Sequence, residues 1–264
     1  MAKELPVTGI DLGAPVRQLL VDLDGTLLGN KAFPLQIDFV RKSLDGLRNY
    51  GGLKKRITAL LGLNAALRAK SRDVTNDVRA VSVFSHLLGL APEEGRKVLR
   101  ESLTLLFPSL ERHFFPIPGA KEFLEWARGR YPMVLATNPV WPPEIVELRL
   151  RWAGVDPSLF TSITHVRRMH ACKPELEYYE EILDQEKLDP AHCLLIGDDM
   201  KMDLPATRVG IRVFIVGKHE KDLRARPLKF EKAKASAWKG SYPILQASLG
   251  GPVSLEDVSA ATRA

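Results

Sequence analysis

The stretch LVDLDGTLL, residues 20–28, decides the fold of this chain of 264 residues. The apolar run from Leu19 to Leu23 is typical of a buried parallel strand, and two carboxylates lie where it ends. Side chains alternate faces along a strand, so Asp22 and Asp24 begin on the same side, while Gly25 lets the backbone turn away. Two neighbouring carboxylates are costly to bury unless a cation joins them. The stretch therefore predicts either a divalent-metal site with one carboxylate free to attack, or an ordinary Asp-Gly turn.

Composition and charge narrow the classes of function. With 45% hydrophobic and 27% charged residues, the chain is typical of a globular protein with one large domain or two smaller ones. The net charge of +6 favours an anionic partner, which could be nucleic acid, a membrane surface or a phosphorylated metabolite. Arginine and aromatic residues do not interleave as they do in single-strand binders, so we expect a small phosphorylated metabolite, with neither nucleic acid nor a membrane as partner.

The two cysteines, Cys172 and Cys193, form no disulfide framework and suit a reducing compartment. The N-terminal residues lack the pattern of a secretory signal, and no apolar run is long enough to span a bilayer. We therefore predict a cytoplasmic location. The sequence does not indicate an oligomeric state.

Four helical segments follow the first strand, with no convincing strand among them. Their apolar residues recur at helical spacing, Pro92 is favoured in a first helical turn, and Asp73 is the predicted N-cap of the third segment. The segments begin at Ile37, Leu53, Asp73 and Pro92 and end near Gly51, Ala69, Leu88 and Phe107. This pattern predicts an all-helical insertion over residues 30–115.

Helices and strands alternate after Gly119. The predicted strands cover residues 131–137, 160–165, 192–197 and 211–216, and the predicted helices cover residues 120–128, 143–153, 173–184 and 203–209. Alternation with nearly continuous apolar strands favours an α/β fold, in which helices cover both faces of a parallel sheet. We assign residues 1–29 and 116–240 to this core and residues 241–264 to a C-terminal tail. The basic segment after Gly217 predicts a solvated helix or tail, or alternatively a substrate-facing rim.

Reactive side chains follow four of the predicted strands at or near their ends. They are Asp22 and Asp24, then Thr137 and Asn138, then Lys173, and finally Asp198 and Asp199 with Asp203 further along. Because open parallel sheets bind ligands beyond the carboxyl ends of their strands, these groups should meet in one crevice. Carboxylates suit Mg²⁺, and an ammonium and a hydroxyl suit phosphate. The convergence predicts phosphoryl transfer with magnesium.

At this point the chain resembles the haloacid dehalogenase (HAD) superfamily of phosphohydrolases. Four motifs carry the resemblance in order: DxDGT at residues 22–26, Thr137-Asn138, Lys173-Pro174, and GDDxxxD at residues 197–203. The resemblance extends from the first strand to about Val216 and implies a Rossmann-like three-layer core. The helical insertion resembles the C1-type cap of that superfamily, while the segment after Gly217 departs from the pattern.

The resemblance also implies roles for these residues. Asp22 would be the nucleophile that forms an aspartyl-phosphate, and Asp24 the general acid and base, with its backbone carbonyl on the metal. Thr137 and Lys173 would act in catalysis and bind phosphate together with Asn138. The expected Mg²⁺ ligands are Asp22, Asp24 and Asp198, supported by Asp199 and Asp203. The register between Asp198 and Asp199 stays open, and Asp203 is also placed to cap the helix that follows.

The reaction implied is Mg²⁺-dependent hydrolysis of a small phosphomonoester. Two alternatives are a phosphomutase or other phosphotransferase with the same nucleophile, and a non-catalytic sensor of a phosphorylated ligand. Dehalogenases of this fold lack an aspartate at the position of Asp24, which argues against carbon–halogen chemistry. Outside the motifs, Trp141 could stack on a substrate or pack at a turn, and the segment from His165 to His170 could form a substrate rim or a solvated loop.

Overall fold

The central sheet contains seven strands. The computed structural model describes residues 9–69, 71, 73–217 and 225–252. Among these residues, the strands of the central sheet are β1 (Gln18–Val21), β4 (Met133–Leu135), β5 (Ser162–Ile163), β6 (Cys193–Gly197), β7 (Arg212–Val216), β8 (Arg226–Leu228) and β9 (Ala237–Gly240). Their order is β5-β4-β1-β6-β7-β9-β8, with only β8 antiparallel to its neighbour. The predicted α/β fold with a mostly parallel sheet is confirmed.

The apolar run before Asp22 lies at the middle of this sheet. β1 pairs in parallel with β4 on one side and β6 on the other, so that Val21 aligns with both Leu135 and Ile196. Leu19 and Val21 pack into the core on one face of the sheet, and Leu20 packs into the core on the other. A strand covered on both faces has to be apolar at successive positions, which is why this run lacks an alternating pattern.

Helices cover both faces of the sheet. They are α5 (Ala120–Ala127), α6 (Pro143–Trp152), α7 (Leu176–Glu186) and the short α8 (Met200–Asp203), which continues as a 3₁₀ helix over Leu204–Val209. The predicted helix over residues 203–209 is therefore mostly 3₁₀, and Pro205 cannot donate the hydrogen bond that a continuing α-helix would need there. The predicted helix over residues 173–184 begins only at Leu176.

The chain leaves the sheet after β1 and returns through a second, two-stranded sheet. Strands β2 (Leu28–Asn30) and β3 (Phe114–Pro116) pair antiparallel, so that Leu28 aligns with Pro116 and Asn30 with Phe114. Between them lie α1 (Ala32–Gly46), α2 (Leu53–Arg68), α3 (Asn76–Leu88) and α4 (Pro92–Leu106), which confirms the four predicted helices. The assignment of residues 30–115 to a separate cap stays a prediction.

The start of α3 corrects the prediction of an Asp73 cap. The N-cap residue is Thr75, and its side chain makes no capping hydrogen bond. Instead, the first backbone N–H groups of α3 bind loops of the α/β core: Asn76 N donates to the Met169 carbonyl (2.8 Å) and Asp77 N to the Val166 carbonyl (2.9 Å). Because tertiary contacts satisfy these donors, the helix needs no local cap.

The C-terminal region also differs from the prediction. Strands β8 and β9 extend the main sheet, and α9 (Tyr242–Ser248) packs against α5 with Tyr242, Ile244 and Leu245 buried. The assignment of residues 241–264 to a tail is therefore wrong for residues 241–252, while residues 253–264 lie outside the described residues. Within the basic segment, residues 218–224 also lie outside them. None of the helices in the described ranges combines the length and apolar character of a membrane-spanning segment.

Candidate active site

Asp22 lies at the carboxyl end of β1, where it is 7% exposed. Its backbone N–H donates to the Ile196 carbonyl of β6 at 2.9 Å, and Thr26 Oγ1 donates to its Oδ2 at 3.3 Å. Gly25 allows the tight turn that brings Thr26 back, because its φ is +79° and any Cβ there would lie 2.0 Å from Asp198 Oδ2. The Asp-Gly pair is therefore both a turn and part of a wall of the site.

Lys173 joins two carboxylates below the surface. Its Nζ donates to Asp22 Oδ1 at 2.8 Å and to Asp203 Oδ1 at 2.7 Å, and its side chain is 2% exposed. Burial by itself would lower the pKa of Lys173, but the Asp203 and Asp22 carboxylates outweigh burial and raise that pKa well above its ordinary value. Lys173 is thus a fixed positive charge next to Asp22.

The ionisation of Asp22 responds to opposing influences. The pKa of Asp22 is raised from 3.8 to about 7 by all of these influences together. Burial is the largest cause of the rise, Lys173 opposes it, and the Asp203 and Asp24 charges add to it. A further cation near Asp22 would favour its ionised, nucleophilic form.

Three carboxylates form a cluster that fits a metal ion. Asp22, Asp198 and Asp203 each offer one oxygen, and these oxygens lie within 4.8 Å of one another. Gly25 and Gly197 leave the space that these carboxylates occupy, since a Cβ on Gly197 would lie 2.1 Å from Asp203 Oδ2. An oxygen donor set in a crevice suits a hard divalent cation such as Mg²⁺.

The cluster faces an open cavity of about 410 Å³, which we call the acidic cavity. Five aspartates line it, namely Asp22, Asp24, Asp198, Asp199 and Asp203, together with Lys173, Asn138, Gly25, Gly29, Asn30, Phe115 and Met202. This excess of carboxylates over ammonium groups is costly unless a cation compensates it, which is a second reason to expect a divalent metal.

The structure separates Asp198 from Asp199. Asp199 is the N-cap of α8, where its Oδ1 accepts from Lys201 N at 2.7 Å and Met202 N at 3.2 Å. Asp198 instead lies in the metal-competent cluster. Asp203 holds the N-cap position of the 3₁₀ helix over Leu204–Val209, as its predicted capping role requires, but its side chain makes no capping hydrogen bond there. Its Oδ1 accepts from Lys173 Nζ instead.

Asp24 differs from the other aspartates in its partner. Its carboxylate forms an ion pair with the Arg149 Nη2 atom of α6, and its side chain is 45% exposed while that of Arg149 is 4% exposed. The ring of Phe114 lies 5.7 Å from the guanidinium carbon, and Arg149 Nε and Nη1 are buried without a hydrogen-bond partner among the described residues. Arg149 does not stand out in the sequence, because one arginine in a predicted amphipathic helix is typical of a solvated face.

Thr137 and Asn138 follow β4, as predicted. Thr137 is 1% exposed, and its Oγ1 has no hydrogen-bond partner among the described residues, although its carbonyl accepts from the Tyr178 hydroxyl at 2.8 Å. Asn138 Oδ1 accepts from Lys173 N at 3.2 Å. An unpaired buried hydroxyl costs about 1–3 kcal/mol, so a ligand that accepts from Thr137 would recover that energy.

The remaining candidates lie apart from the acidic cavity. Trp141 packs edge-on against Phe107 at 4.8 Å and Phe39 at 5.8 Å, so it packs at its turn, and a contact with substrate stays a prediction. Arg167 binds Glu144, and His170 binds Glu181 at 2.7 Å. Among the residues described around the acidic cavity, none comes from the segment 165–170.

A family model for haloacid dehalogenase-like hydrolases matches residues 16–209, a range that contains every motif residue described above. The chain belongs to this family. Membership in the HAD-like hydrolases confirms the resemblance seen in the sequence and identifies the chain as a hydrolase.

Solved structures share the fold of this HAD-like hydrolase at low sequence identity. A 2-haloacid dehalogenase from Pseudomonas syringae pv. Tomato DC3000 is similar with a TM-score of 0.58 and 15% identity, covering 88% of this chain and 96% of its own. A HAD phosphatase from Thermococcus onnurineus has a TM-score of 0.55 and 20% identity, covering 90% and 100%. A magnesium-bound HAD hydrolase, YfnB from Bacillus subtilis, has a TM-score of 0.51 and 18% identity, covering 89% and 99%.

None of the curated proteins matches the sequence. Because the HAD-like fold is shared by a phosphatase and a dehalogenase, the fold does not distinguish between phosphorus–oxygen and carbon–halogen cleavage. That distinction depends on the side chains in the acidic cavity.

Proposed function

We propose that this HAD-like hydrolase cleaves a small phosphomonoester with Mg²⁺, through an aspartyl-phosphate on Asp22. One observation carries the proposal. The Asp22 carboxylate belongs to a cluster of three carboxylates that fits a divalent cation, and the buried Lys173 Nζ donates a hydrogen bond to the same carboxylate. A haloacid carries one negative charge and needs no metal for displacement of halide by a carboxylate, whereas a phosphate dianion needs cationic partners to approach a second anion.

The side chains around Asp22 support a two-step displacement. Thr26 and Lys173 each hold one of its oxygens, which orients the carboxylate for attack on phosphorus. An Asp22 oxygen forms a bond to phosphorus as the bond from phosphorus to the leaving oxygen breaks, and Asp24 donates a proton to that oxygen. Asp24 then accepts a proton from water as the water attacks the aspartyl-phosphate, which releases phosphate and restores Asp22.

The other groups bind the phosphate and the metal. Lys173 and Asn138 line the acidic cavity and would bind phosphate oxygens. The Thr137 hydroxyl, which is buried without a hydrogen-bond partner among the described residues, would donate to the same phosphate. Asp22, Asp198 and the backbone carbonyl of Asp24 would hold Mg²⁺, with Asp199 and Asp203 in support. When bound, Mg²⁺ supplies positive charge that compensates the carboxylates and the incoming phosphate. We propose that the substrate is a small phosphorylated metabolite of the cytoplasm.

The first test is phosphate release from a panel of phosphorylated metabolites, with and without Mg²⁺, by the wild type and by Asp22→Asn. Asparagine preserves the shape of the side chain but is a poor nucleophile, so we expect metal-dependent release by the wild type and none by the variant. Asp184→Asn makes the same chemical change at an exposed position of α7 and should retain full activity. Release that survives in Asp22→Asn would refute the nucleophile.

Two further readouts address the other reactions of this family. Halide release from 2-haloacids, in place of phosphate release from any ester, would establish a dehalogenase. An added alcohol that diverts phosphate from water into a new ester would indicate a phosphotransferase or mutase with the same nucleophile. Magnesium binding without turnover of any compound would favour the sensor.

A further inference from the structure

Asp24 lies where two cavities meet. One is the acidic cavity, and the other, of about 240 Å³, also contains Asp24 and Asn30 in its wall. We call the second the apolar side cavity. The rest of its wall consists of Gln36, Arg149 and seven apolar side chains, namely Leu35, Phe39, Val40, Phe107, Leu110, Phe114 and Trp141.

The position of Asp24 directs the leaving group into this side cavity. A general acid must come within about 2.6–3.2 Å of the oxygen that it protonates. The leaving oxygen therefore lies beside Asp24, with the phosphate on the side of Lys173 and the metal-competent cluster. A carbon skeleton that extends past Asp24, away from the phosphate, can enter the apolar side cavity, whose wall contains Asp24 but none of Asp22, Lys173 and Asp198.

The chemistry of the wall disfavours a polyhydroxylated leaving group. Phe107 and Trp141 present rings with centroids 4.8 Å apart, and Leu110 is 1% exposed. A hydroxyl placed against these three side chains would lose hydrogen bonds to water and find no partner on them, which is costly. Arg149 lies in the same wall, but its charge is already compensated by Asp24 and its guanidinium lies next to the ring of Phe114.

The size of the cavity suits one ring. A dry apolar cavity of about 150 Å³ is sufficient for benzene, and the side cavity is larger than this. Its aromatic side chains can pack edge-on or offset against a ring in the manner that aromatic pairs prefer.

We propose that the substrate is the phosphomonoester of an apolar alcohol, with a leaving group about the size of one aromatic ring. This inference rests on the proposed phosphomonoesterase function and specifies its substrate class. Sugar phosphates and phosphorylated hydroxy acids are then poor substrates.

The test compares alkyl esters whose leaving alkoxides are of one chemical kind: 2-phenylethyl phosphate, glycerol 3-phosphate, phosphoglycolate and methyl phosphate. For the wild type with Mg²⁺ we expect kcat/KM for 2-phenylethyl phosphate to exceed the values for the two polar esters at least tenfold. The product 2-phenylethanol should inhibit methyl phosphate turnover, and glycerol at equal concentration should not.

Two phenylalanines on α1 provide a matched pair of variants. Phe39 lines the apolar side cavity, whereas Phe33 is 72% exposed and lines neither cavity. We expect Phe39→Ala to raise the ratio of KM for 2-phenylethyl phosphate to KM for methyl phosphate about tenfold, while a circular dichroism spectrum like that of the wild type shows that the variant is folded. Phe33→Ala should change neither value. Selective loss in Phe33→Ala instead would contradict the proposed cavity.

The outcomes separate this inference from the function on which it rests. If no ester releases phosphate, methyl phosphate included, the phosphomonoesterase function fails and the inference fails with it. If methyl phosphate is hydrolysed but glycerol 3-phosphate or phosphoglycolate matches or exceeds 2-phenylethyl phosphate, only the apolar leaving group is refuted. Absence of inhibition by 2-phenylethanol would refute it independently of any variant.

Discussion

Replacement of Arg149 by methionine should separate activity from stability. Arg149 is buried on α6, binds the carboxylate of Asp24 through Nη2, and leaves its Nε and Nη1 without partners among the described residues. Methionine is unbranched and apolar and would fill most of the same space. The substitution removes the positive charge that positions Asp24 and also removes two buried donors.

The expected change in stability follows from these contacts. Each buried N–H group without a partner costs about 1–3 kcal/mol, and methionine removes both. Against this gain, the loss of an ion pair whose carboxylate stays half in solvent costs about 0–1 kcal/mol, and the loss of the cation–π contact with Phe114 costs about 0.5–2 kcal/mol. Taken at their mid-points, these contributions favour Arg149→Met by about 2 kcal/mol, which corresponds to a Tm increase of roughly 4–8 °C for a chain of this size.

The expected change in activity has the opposite sign. General acid–base help is typically about 10²–10⁴-fold, and Arg149→Met should lose a part of it, about tenfold to a hundredfold in kcat, because Asp24 loses its fixed orientation. KM should change little, since the proposed phosphate-binding residues Lys173 and Asn138 are untouched. In the double variant with Asp24→Asn, Arg149→Met should cause no additional loss, because Arg149 acts through Asp24.

The assays are thermal unfolding followed by circular dichroism without added metal, and steady-state kinetics on the best ester from the panel. Arg151→Met is the matched control, since Arg151 lies on the same helix, is 59% exposed and pairs with Glu147 across one helical turn. That control should shift neither kcat nor Tm appreciably. An Arg149→Met protein with wild-type kcat, or with a Tm several degrees below wild type, would refute the reasoning about this ion pair.

Two further predictions concern Gly25, in the loop that follows β1, and Asp38 on α1. Gly25→Ala should weaken Mg²⁺ binding, measured by calorimetry, and lower the Tm more than Gly13→Ala does. Both glycines have φ near +80°, but only a Cβ on Gly25 would meet the Asp198 carboxylate. Equal effects of the two variants would contradict this prediction. Hydrogen bonds from His113 and Arg112 hold the pKa of Asp38 well below its ordinary value of 3.8, so this carboxylate stabilises the folded state above pH 3.8 and loses that contribution as the pH falls further. In urea unfolding, the free energy of unfolding of Asp38→Asn should therefore be lower than that of the wild type at pH 7, and this difference should narrow below pH 4. A difference that stays constant with pH would show that the ion pairs of Asp38 do not cause it.

The parts of the fold that depend on local pattern could be predicted from the sequence. The four helices between β2 and β3 show apolar residues at helical spacing, and β1, β4, β6 and β7 are short apolar runs. The meeting of Asp22, Lys173 and the 197–203 motif also follows from the sequence, because the carboxyl ends of parallel strands lie along one edge of a sheet. The family model confirms the resemblance, since it covers all four motifs.

Elements that depend on distant partners could not be predicted. Strands β2, β3, β8 and β9 contain glycine, proline or charged residues in place of a continuous apolar run, and they exist because they pair with one another or with β7. The same holds for the start of α3, where carbonyls of the core replace a side-chain cap.

Within the site, the sequence by itself determined the kinds of groups that meet, and the tertiary structure decided their partners. Asp198 and Asp199 are chemically identical neighbours, and only the position of α8 makes one a helix cap and the other a member of the acidic cluster. Arg149 and Asp24 are separated by 125 residues in the chain and pair because α6 packs beside the loop that follows β1. The spacing of residues predicts which side chains share one face of a strand or helix. Contacts between elements depend on how their surfaces pack, and the spacing within one element does not predict that packing.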